Sequence, residues 1–275
     1  MTEPVLPTYS WSRVSMYSRC AYQFYKRYIE EKIIPPGIAM LTGTGVHAGA
    51  ECNLNHKIKE GEAASIAECS DATRDKINNE WDDTGVFLRP EEKTIGEKKL
   101  RGKVIDEAVT LSSVHHDIIA PQILYPVTTE EIFELSVPDA GFNLTGVIDV
   151  VEQDGKRCII HDHKTASKSP SKTACDDNGQ LTMYALSKKI MQGEIPEVAM
   201  NWCIKTKTPK ATMQYSKRSA SQLMGLLQHV QMIHDSIQKG VFNYACYQTP
   251  SPWFCNKRFC GYYDTCPGIK GKLFI

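Results

Sequence analysis

The sequence predicts a single α/β domain, because helical periodicity at both ends of the chain encloses a run of strand-like segments. Apolar residues recur every three or four positions over 11–29 and over 219–238, which is typical of amphipathic helices. Between them, 144–153 is apolar and β-branched, and Asp154-Gly155 predicts a hairpin turn before a returning strand. The prediction is therefore a strand core with helices packed around it.

The predicted elements follow one another without an internal repeat. The N-terminal helix has Ser12 as its N-cap and ends before the turn at Pro35-Pro36-Gly37. The order predicts a helical N-terminal part (10–120), a core (121–240) and a cysteine-rich C-terminal cap (244–275). The remaining predicted elements are helices over 43–57, 60–119 and 180–191, and strands over 131–137, 144–153, 157–165, 198–205 and 211–215.

Composition favours a soluble, intracellular, cytoplasmic protein. The chain is 41% hydrophobic and 23% charged, its N-terminus lacks a secretory pattern, and no apolar run approaches the ~20 residues of a membrane span. The 10 cysteines are then expected as reduced thiols or metal ligands. Net charge is zero, but residues 156–218 carry 12 Lys/Arg against 5 Asp/Glu. This stretch is either a face that attracts phosphate or an ordinary solvated surface.

The predicted hairpin carries the residues with the clearest chemistry. A two-residue loop at Asp154-Gly155 pairs Asp149 with Ile160, so Asp149, Asp162 and Lys164 are expected on one side of the sheet. Two converging carboxylates attract a hard divalent cation, and a lysine beside them suits metal-assisted phosphodiester hydrolysis. The alternative is a set of surface charges that happen to share a face. The apolar residues around them favour buried strands, where charges usually have a partner or a role.

The motif Gly146-x-x-Asp149 followed by Asp162-x-Lys164-Thr165 resembles the core pattern of the PD-(D/E)XK nuclease superfamily. The similar branch is the RecB-like one, with the AddB nuclease domain, CRISPR adaptation exonucleases and phage recombination exonucleases. Further matches are a metal-binding-histidine helix, a Gln-x-x-x-Tyr motif and the cysteines of the iron–sulfur version, represented here by Gly43-Thr-Gly-Val-His47, by Gln180 and Tyr184, and by Cys20, Cys255, Cys260 and Cys266.

The resemblance implies a restriction-endonuclease-like fold, a mixed central sheet flanked by helices, and a metal-dependent DNA exonuclease. It implies that His47, Asp149 and Asp162 hold Mg²⁺ or Mn²⁺ and that Lys164 positions water or stabilises charge. Gln180 and Tyr184 would hold the lysine or touch DNA. Glu51 and Glu131 are expected as outer carboxylates, and four histidines are expected to be structural: His115, His116, His161 and His163.

The tail cysteines predict a metal clip, since Cys255, Cys260 and Cys266 lie close together among aromatic residues. Their spacing leaves zinc and a cubane cluster both open. The resemblance favours a [4Fe-4S] cluster that joins the two ends of the chain, with Cys20 as fourth ligand. Six other cysteines are expected to be inert: Cys52, Cys69, Cys158, Cys175, Cys203 and Cys246.

The expected partner is DNA, either single-stranded or with free ends, contacted through its backbone by Lys205, Lys207 and Lys210. A helicase or recombinase partner and a role in recombination, repair or phage DNA processing are hypotheses by association. Two alternatives remain open at this point: a DNA-binding or recombination protein that does not cleave, and a restriction-type endonuclease.

Overall fold

The computed structural model describes residues 6–245 and 252–269 of the 275-residue chain. The prediction for Cys246 lies outside these residues. Within them, no helix is long and apolar enough to cross a membrane. The α-helices are α1 (Trp11–Arg19), α2 (Ala21–Phe24), α3 (Ile38–Glu60), α4 (Ile66–Thr84), α5 (Glu97–Val114), α6 (Gly179–Gln192) and α7 (Ala220–Gln238).

A six-stranded sheet forms the centre of the fold. β3 pairs with β2 and β4 antiparallel and with β1 parallel, while β5 runs parallel to β4 and antiparallel to β6. This confirms the predicted mixed sheet flanked by helices. The strands are β1 (Thr8–Tyr9), β2 (Pro126–Val137), β3 (Phe142–Asp154), β4 (Arg157–Ala166), β5 (Glu197–Ile204) and β6 (Lys210–Lys217).

Hydrophobic packing covers both faces of the sheet. On one face, strand residues such as Ile148 and Ile160 pack with Leu181 of α6 and Val230 of α7. On the other side, α3, α4 and α5 pack around residues that include Leu41, Ile77 and Val104. The part of β3 and β4 that faces α3 therefore lies between two packed layers, and the candidate site is there.

Two predicted helices are interrupted in the structure. The N-terminal helix breaks at Cys20, which is extended (φ −160°, ψ 101°), and its N-cap residue is Ser10 rather than Ser12. The long helix predicted over 60–119 is two helices and a π-helical turn, because Gly85 and Gly96 take positive φ values of 68° and 85° at the ends of the intervening loop. Apolar periodicity does not reveal such breaks.

The hairpin register differs from the prediction by two residues. Asp154 pairs with Arg157, so Gly155-Lys156 forms the turn and Gly155 takes the positive φ of 57° that a tight hairpin requires. The pairing stops at Val150 and His161. Beyond this last pair, Asp149 therefore stands opposite Asp162 and not opposite Ile160. A shift of two residues preserves which side chains share a face.

Candidate functional site

The site lies where β3 and β4 separate. Asp149 and Asp162 are the first residues beyond the last pair of the hairpin, one on each strand. Asp149 is 8% exposed, and its Oδ2 accepts a hydrogen bond of 2.6 Å from the backbone N–H of His163. Asp162 is fully buried. The fork therefore holds two carboxylates close together away from bulk water.

Lys164 is held by a chain of hydrogen bonds that involves three other side chains. Its Nζ lies 2.9 Å from Oδ1 and 2.7 Å from Oδ2 of Asp162, and it donates to Oε1 of Gln180 at 3.0 Å. The amide nitrogen of Gln180 in turn donates to the hydroxyl of Tyr184 at 2.6 Å. The structure thus brings together four of the predicted site residues, with the Gln180 carbonyl oxygen turned towards the lysine.

Helix α3 contributes His47. Its Nε2 lies 2.8 Å from the carbonyl oxygen of His163, and its Nδ1 lies 3.5 Å from Oδ2 of Asp149. Glycine lets this helix pack closely: a Cβ on Gly45 would stand 2.6 Å from Ile77 of α4. Close packing against α4 sets the position of α3, and with it that of the imidazole.

Glu130 of β2 is a site residue that sequence reasoning missed. One ligand atom each from His47, Glu130 and Asp149 lies within 4.8 Å of the others. Glu130 has a positive φ of 48°, which is uncommon for a residue other than glycine. Burial, with a further contribution from the charge of Asp149, raises its pKa to about 7.

The neighbouring Glu131, which the sequence favoured as an outer carboxylate, faces the other way and forms an ion pair with the buried Lys188 of α6. Only the pairing of β2 with β3 identifies Glu130 as a site residue. Thr129 pairs with Val150 and Glu131 with Ile148, so Glu130 stands across from Asp149. An alternating pattern in β2 alone does not identify which of the two glutamates reaches the site.

The side chains around the cleft are mostly acidic, which favours binding of a cation. Burial raises the pKa of Asp149 to about 6, Asp162 raises it further, and His47 and Lys164 act in the opposite direction. Four carboxyl groups, of Glu51, Glu130, Asp149 and Asp162, stand against two lysines, Lys76 and Lys164, so acidic groups outnumber basic ones around the cleft. Carboxylate oxygens with one imidazole nitrogen suit Mg²⁺ or Mn²⁺, so these residues fit a divalent ion.

Two open cavities meet at this fork. A metal cleft of about 630 Å³ is lined by His47, Glu51, Glu130 and Lys164, among others. It adjoins a pocket of about 490 Å³, called the basic pocket here, in which three basic residues stand against two glutamates, and it shares Ala39 and Thr165 with the cleft. The basic residues are Arg89, Lys168 and Lys205, and the glutamates are Glu92 and Glu107. A substrate therefore has space on both sides of Thr165.

The lysines predicted to contact DNA are divided. Lys205 lines the basic pocket and forms an ion pair of 2.5 Å with Glu107. Lys207, in the turn before β6, and Lys210, the first residue of β6, are exposed. The stretch 156–218 as a whole is not one basic face. Lys188 and Arg218 are 2% and 5% exposed, because α6 and the loop before α7 turn them inwards.

Behind the site, His161 and His163 point away from Asp162 into a buried polar chain. Nε2 of His161 lies 2.9 Å from Glu152, and the amide nitrogen of Asn201 lies 3.2 Å from Nδ1 of each histidine. His163 also contacts His115 at 3.3 Å. Burial lowers the pKa of His163 well below its usual value and that of His115 to about 3, so both rings are neutral.

His116 lies apart, near Asp117 and the carbonyl oxygen of Ala64.

The four cysteines of the predicted clip line one cavity. Cys20 reaches it because the chain is extended between α1 and α2, and it meets Cys255, Cys260 and Cys266 there. Burial raises the pKa of Cys260, and the nearby Cys20 and Cys266 raise it further. Adjacent thiols that oppose each other's ionisation suit a site in which a metal supplies the positive charge.

Zinc and an iron–sulfur cluster are both bound by four thiolates, so the lining of this cavity fits either metal. Across residues 6–245 and 252–269, the only group of three or more ligand atoms within 4.8 Å of one another is the one at His47. Other described cysteines are packed away from this cavity: Cys69, Cys175 and Cys203 are buried, and Cys52 and Cys158 are half-buried.

Comparisons with known proteins agree with this fold. A family model, described as the PD-(D/E)XK nuclease superfamily, matches residues 8–267. The crystal structure of a "Putative exonuclease" from Eubacterium rectale is similar with a TM-score of 0.54 and 14% identity, covering 86% of this chain and 84% of that one. The crystal structure of SSO0001 aligns over 90% of this chain and 95% of that one, with 10% identity and a TM-score of 0.35. A search of curated proteins found no match.

Proposed function

The chain belongs to the PD-(D/E)XK nuclease superfamily, and on this basis we propose that it is a metal-dependent exonuclease that hydrolyses DNA from its ends. The observation that carries the proposal is the fork of β3 and β4, where Asp149 and Asp162 meet and Lys164 is already bound to Asp162. An acidic pair beside a fixed lysine in an open cleft suits phosphodiester hydrolysis.

His47, Asp149, Asp162 and Glu130 would hold Mg²⁺ or Mn²⁺. When bound, such an ion lowers the pKa of a water molecule and offsets charge on the phosphate. The buried carboxylates supply the negative charge that keeps the ion in place, and the N–H of His163 holds Asp149 in the ligand orientation. Glu130 would act as ligand or would accept the proton of the attacking water, since its pKa is raised to about 7.

Lys164 would act on the water or the phosphate through its ammonium group. Asp162 and Gln180 hold its Nζ, and Tyr184 fixes the Gln180 amide so that the carbonyl oxygen accepts from the lysine. The ammonium group can then position a water or stabilise the charge that develops on the phosphate. In the reaction a water oxygen bonds to phosphorus, the P–O bond to the leaving nucleoside breaks, and the leaving oxygen takes a proton.

Digestion of end-labelled DNA tests the proposal. Linear single-stranded and duplex DNA and a covalently closed circle are each incubated with Mg²⁺, with Mn²⁺ or with EDTA. We expect metal-dependent loss of nucleotides from linear DNA and no cutting of the circle. Cleavage of the circle would indicate an endonuclease, and binding without cleavage by the metal-loaded protein would refute a nuclease.

A [4Fe-4S] cluster is proposed for the cavity of Cys20, Cys255, Cys260 and Cys266. Support comes from the four cysteines, drawn from both ends of the chain, that line one cavity, and from the resemblance of their pattern to the iron–sulfur version of the fold. Anaerobically purified protein should contain about four iron and four sulfide per chain and absorb near ~400 nm. Stoichiometric zinc, or neither metal, would refute the cluster without affecting the nuclease proposal.

A further inference from the structure

We propose that a groove beside the metal cleft binds single-stranded DNA and leads its end to the carboxylates; this inference rests on the proposed nuclease function. The groove has a volume of about 830 Å³ and runs between the cysteine-rich segment, at Arg258 and Phe259, and the chain before and within the first turn of α3, from Ile33 to Met40. It is called the arginine groove here.

The arginine groove is continuous with the candidate site. Ala39, in the first turn of α3, lines the groove, the metal cleft and the basic pocket alike. Met40 lines both the groove and the cleft, and Arg89 lines both the groove and the basic pocket. A strand lying in the groove would therefore reach the carboxylates by crossing one helical turn.

The charge of the groove suits a phosphate backbone. The groove is lined by Arg27, Arg89 and Arg258 and by the acidic Glu80. Arg258 forms an ion pair with Glu91 at 2.5 Å, and Arg89 lies 4.0 Å from Glu92. Ion pairs at the surface contribute little to stability, so a phosphate can take the place of these carboxylates. Arginines beside an acidic site can then hold the phosphates on one side of the cleavage point.

Apolar side chains in the same groove favour a single strand over a duplex. Ile33, Met40 and Phe259 are 69%, 65% and 43% exposed. The guanidinium carbons of Arg89 and Arg258 lie 5.0 and 6.0 Å from the centre of the Phe259 ring. A duplex hides the faces of its bases, whereas a single strand presents them to aromatic and apolar side chains next to cations.

Binding measured without cleavage tests the inference. Fluorescence anisotropy of a labelled single-stranded oligonucleotide, and of the same sequence as a blunt duplex, is recorded in EDTA. The wild-type protein should bind the single strand at least several-fold more tightly. The double variant Arg89→Gln/Arg258→Gln, and separately Met40→Glu, should each weaken single-strand binding by about ten-fold or more, as expected for lost phosphate and base contacts.

Matched controls separate the groove from general charge and hydrophobicity. Lys59→Gln/Lys239→Gln removes two exposed cations outside the groove, and Met224→Glu changes an exposed methionine of α7. Both should bind as wild type does, and thermal unfolding should show every variant folded. Equal wild-type affinity for duplex and single strand, or undiminished binding by the groove variants, would overturn the inference. Because the assay needs no catalysis, a protein that binds through the groove yet cuts nothing would refute the nuclease and leave the groove intact.

Discussion

Replacing Asp149 by Asn is expected to stabilise the metal-free protein at pH 7.5 and to abolish cleavage. The Asp149 carboxyl is buried, and its pKa rises from the ordinary 3.8 to about 6. Between these values the folded chain keeps a proton that the unfolded chain has lost, so the free energy of unfolding falls as pH rises. Above pH 6 the carboxylate is charged in both states, and the folded state carries the full cost.

The size of the effect follows from the two pKa values. A difference of about 2 pH units corresponds to about 3 kcal/mol, which is an upper bound because local relaxation reduces it. Asn retains an oxygen that accepts the N–H of His163, so the hydrogen bond of 2.6 Å is not lost. For a chain of this length about 2 °C in Tm accompanies each kcal/mol. We therefore expect Asp149→Asn to raise Tm at pH 7.5 by up to about 6 °C, and to have little effect at pH 4.

Thermal unfolding of both proteins in EDTA at pH 4 and pH 7.5 measures this difference. Adding Mg²⁺ or Mn²⁺ should raise the Tm of the wild-type protein, since the ion binds only the folded state, and should leave Asp149→Asn unchanged. The exposed Asp83→Asn serves as control and should follow the wild type. An Asp149→Asn protein that is no more stable than wild type at pH 7.5 would refute the electrostatic reasoning.

Three further predictions concern the lysine, the cysteines and a close contact. Lys164→Ala should lower the single-turnover cleavage rate by several orders of magnitude with DNA affinity nearly unchanged; activity within a few-fold of wild type would remove it from the mechanism. Cys260→Ser should lose iron and stability while Cys175→Ser keeps both, measured by iron analysis and thermal unfolding; equal iron in both would exclude Cys260 as a ligand. A Cβ on Gly146 would stand 2.6 Å from an aromatic ring, so Gly146→Ala should cost about 1–3 kcal/mol in denaturant unfolding. Gly225→Ala in α7 has open space and should not destabilise, and equal behaviour of the two alanines would contradict the contact.

The sequence predicts most elements of this fold because they are strongly periodic or flanked by turn residues. The strands of the hairpin and the helix from Ser219 follow the expected bounds within one or two residues. Hydrophobic periodicity does not reveal a local change in backbone conformation. The extended conformation of Cys20 leaves the apolar spacing of its neighbours intact, and positive φ at Gly155 shifts the turn by one residue without altering the strands.

The candidate site is predictable in so far as its residues lie in short motifs. Asp149, Asp162 and Lys164 belong to one hairpin, and alternation of side chains already puts them together. Glu130 could not be found in this way. It comes from a strand that pairs along the other edge of β3, and its backbone departs from the extended conformation that alternation assumes. Residues brought in by long-range pairing need the register, which one sequence does not supply.

In the buried polar chain behind the fork, each hydrogen bond has a fixed donor and acceptor. Glu152 accepts a hydrogen bond from Nε2 of His161, so Nδ1 of the neutral ring is an acceptor; the Asn201 amide nitrogen can donate one hydrogen to it and the other to His163. Aspartate at position 201 would set acceptors against acceptors, and both buried rings would have to take up a proton or exchange tautomers. Relatives of this chain should accordingly replace Asn201, His161 and His163 together or not at all. Asn201 lies behind the site, yet it restricts which substitutions the strand that holds Asp162 can accept.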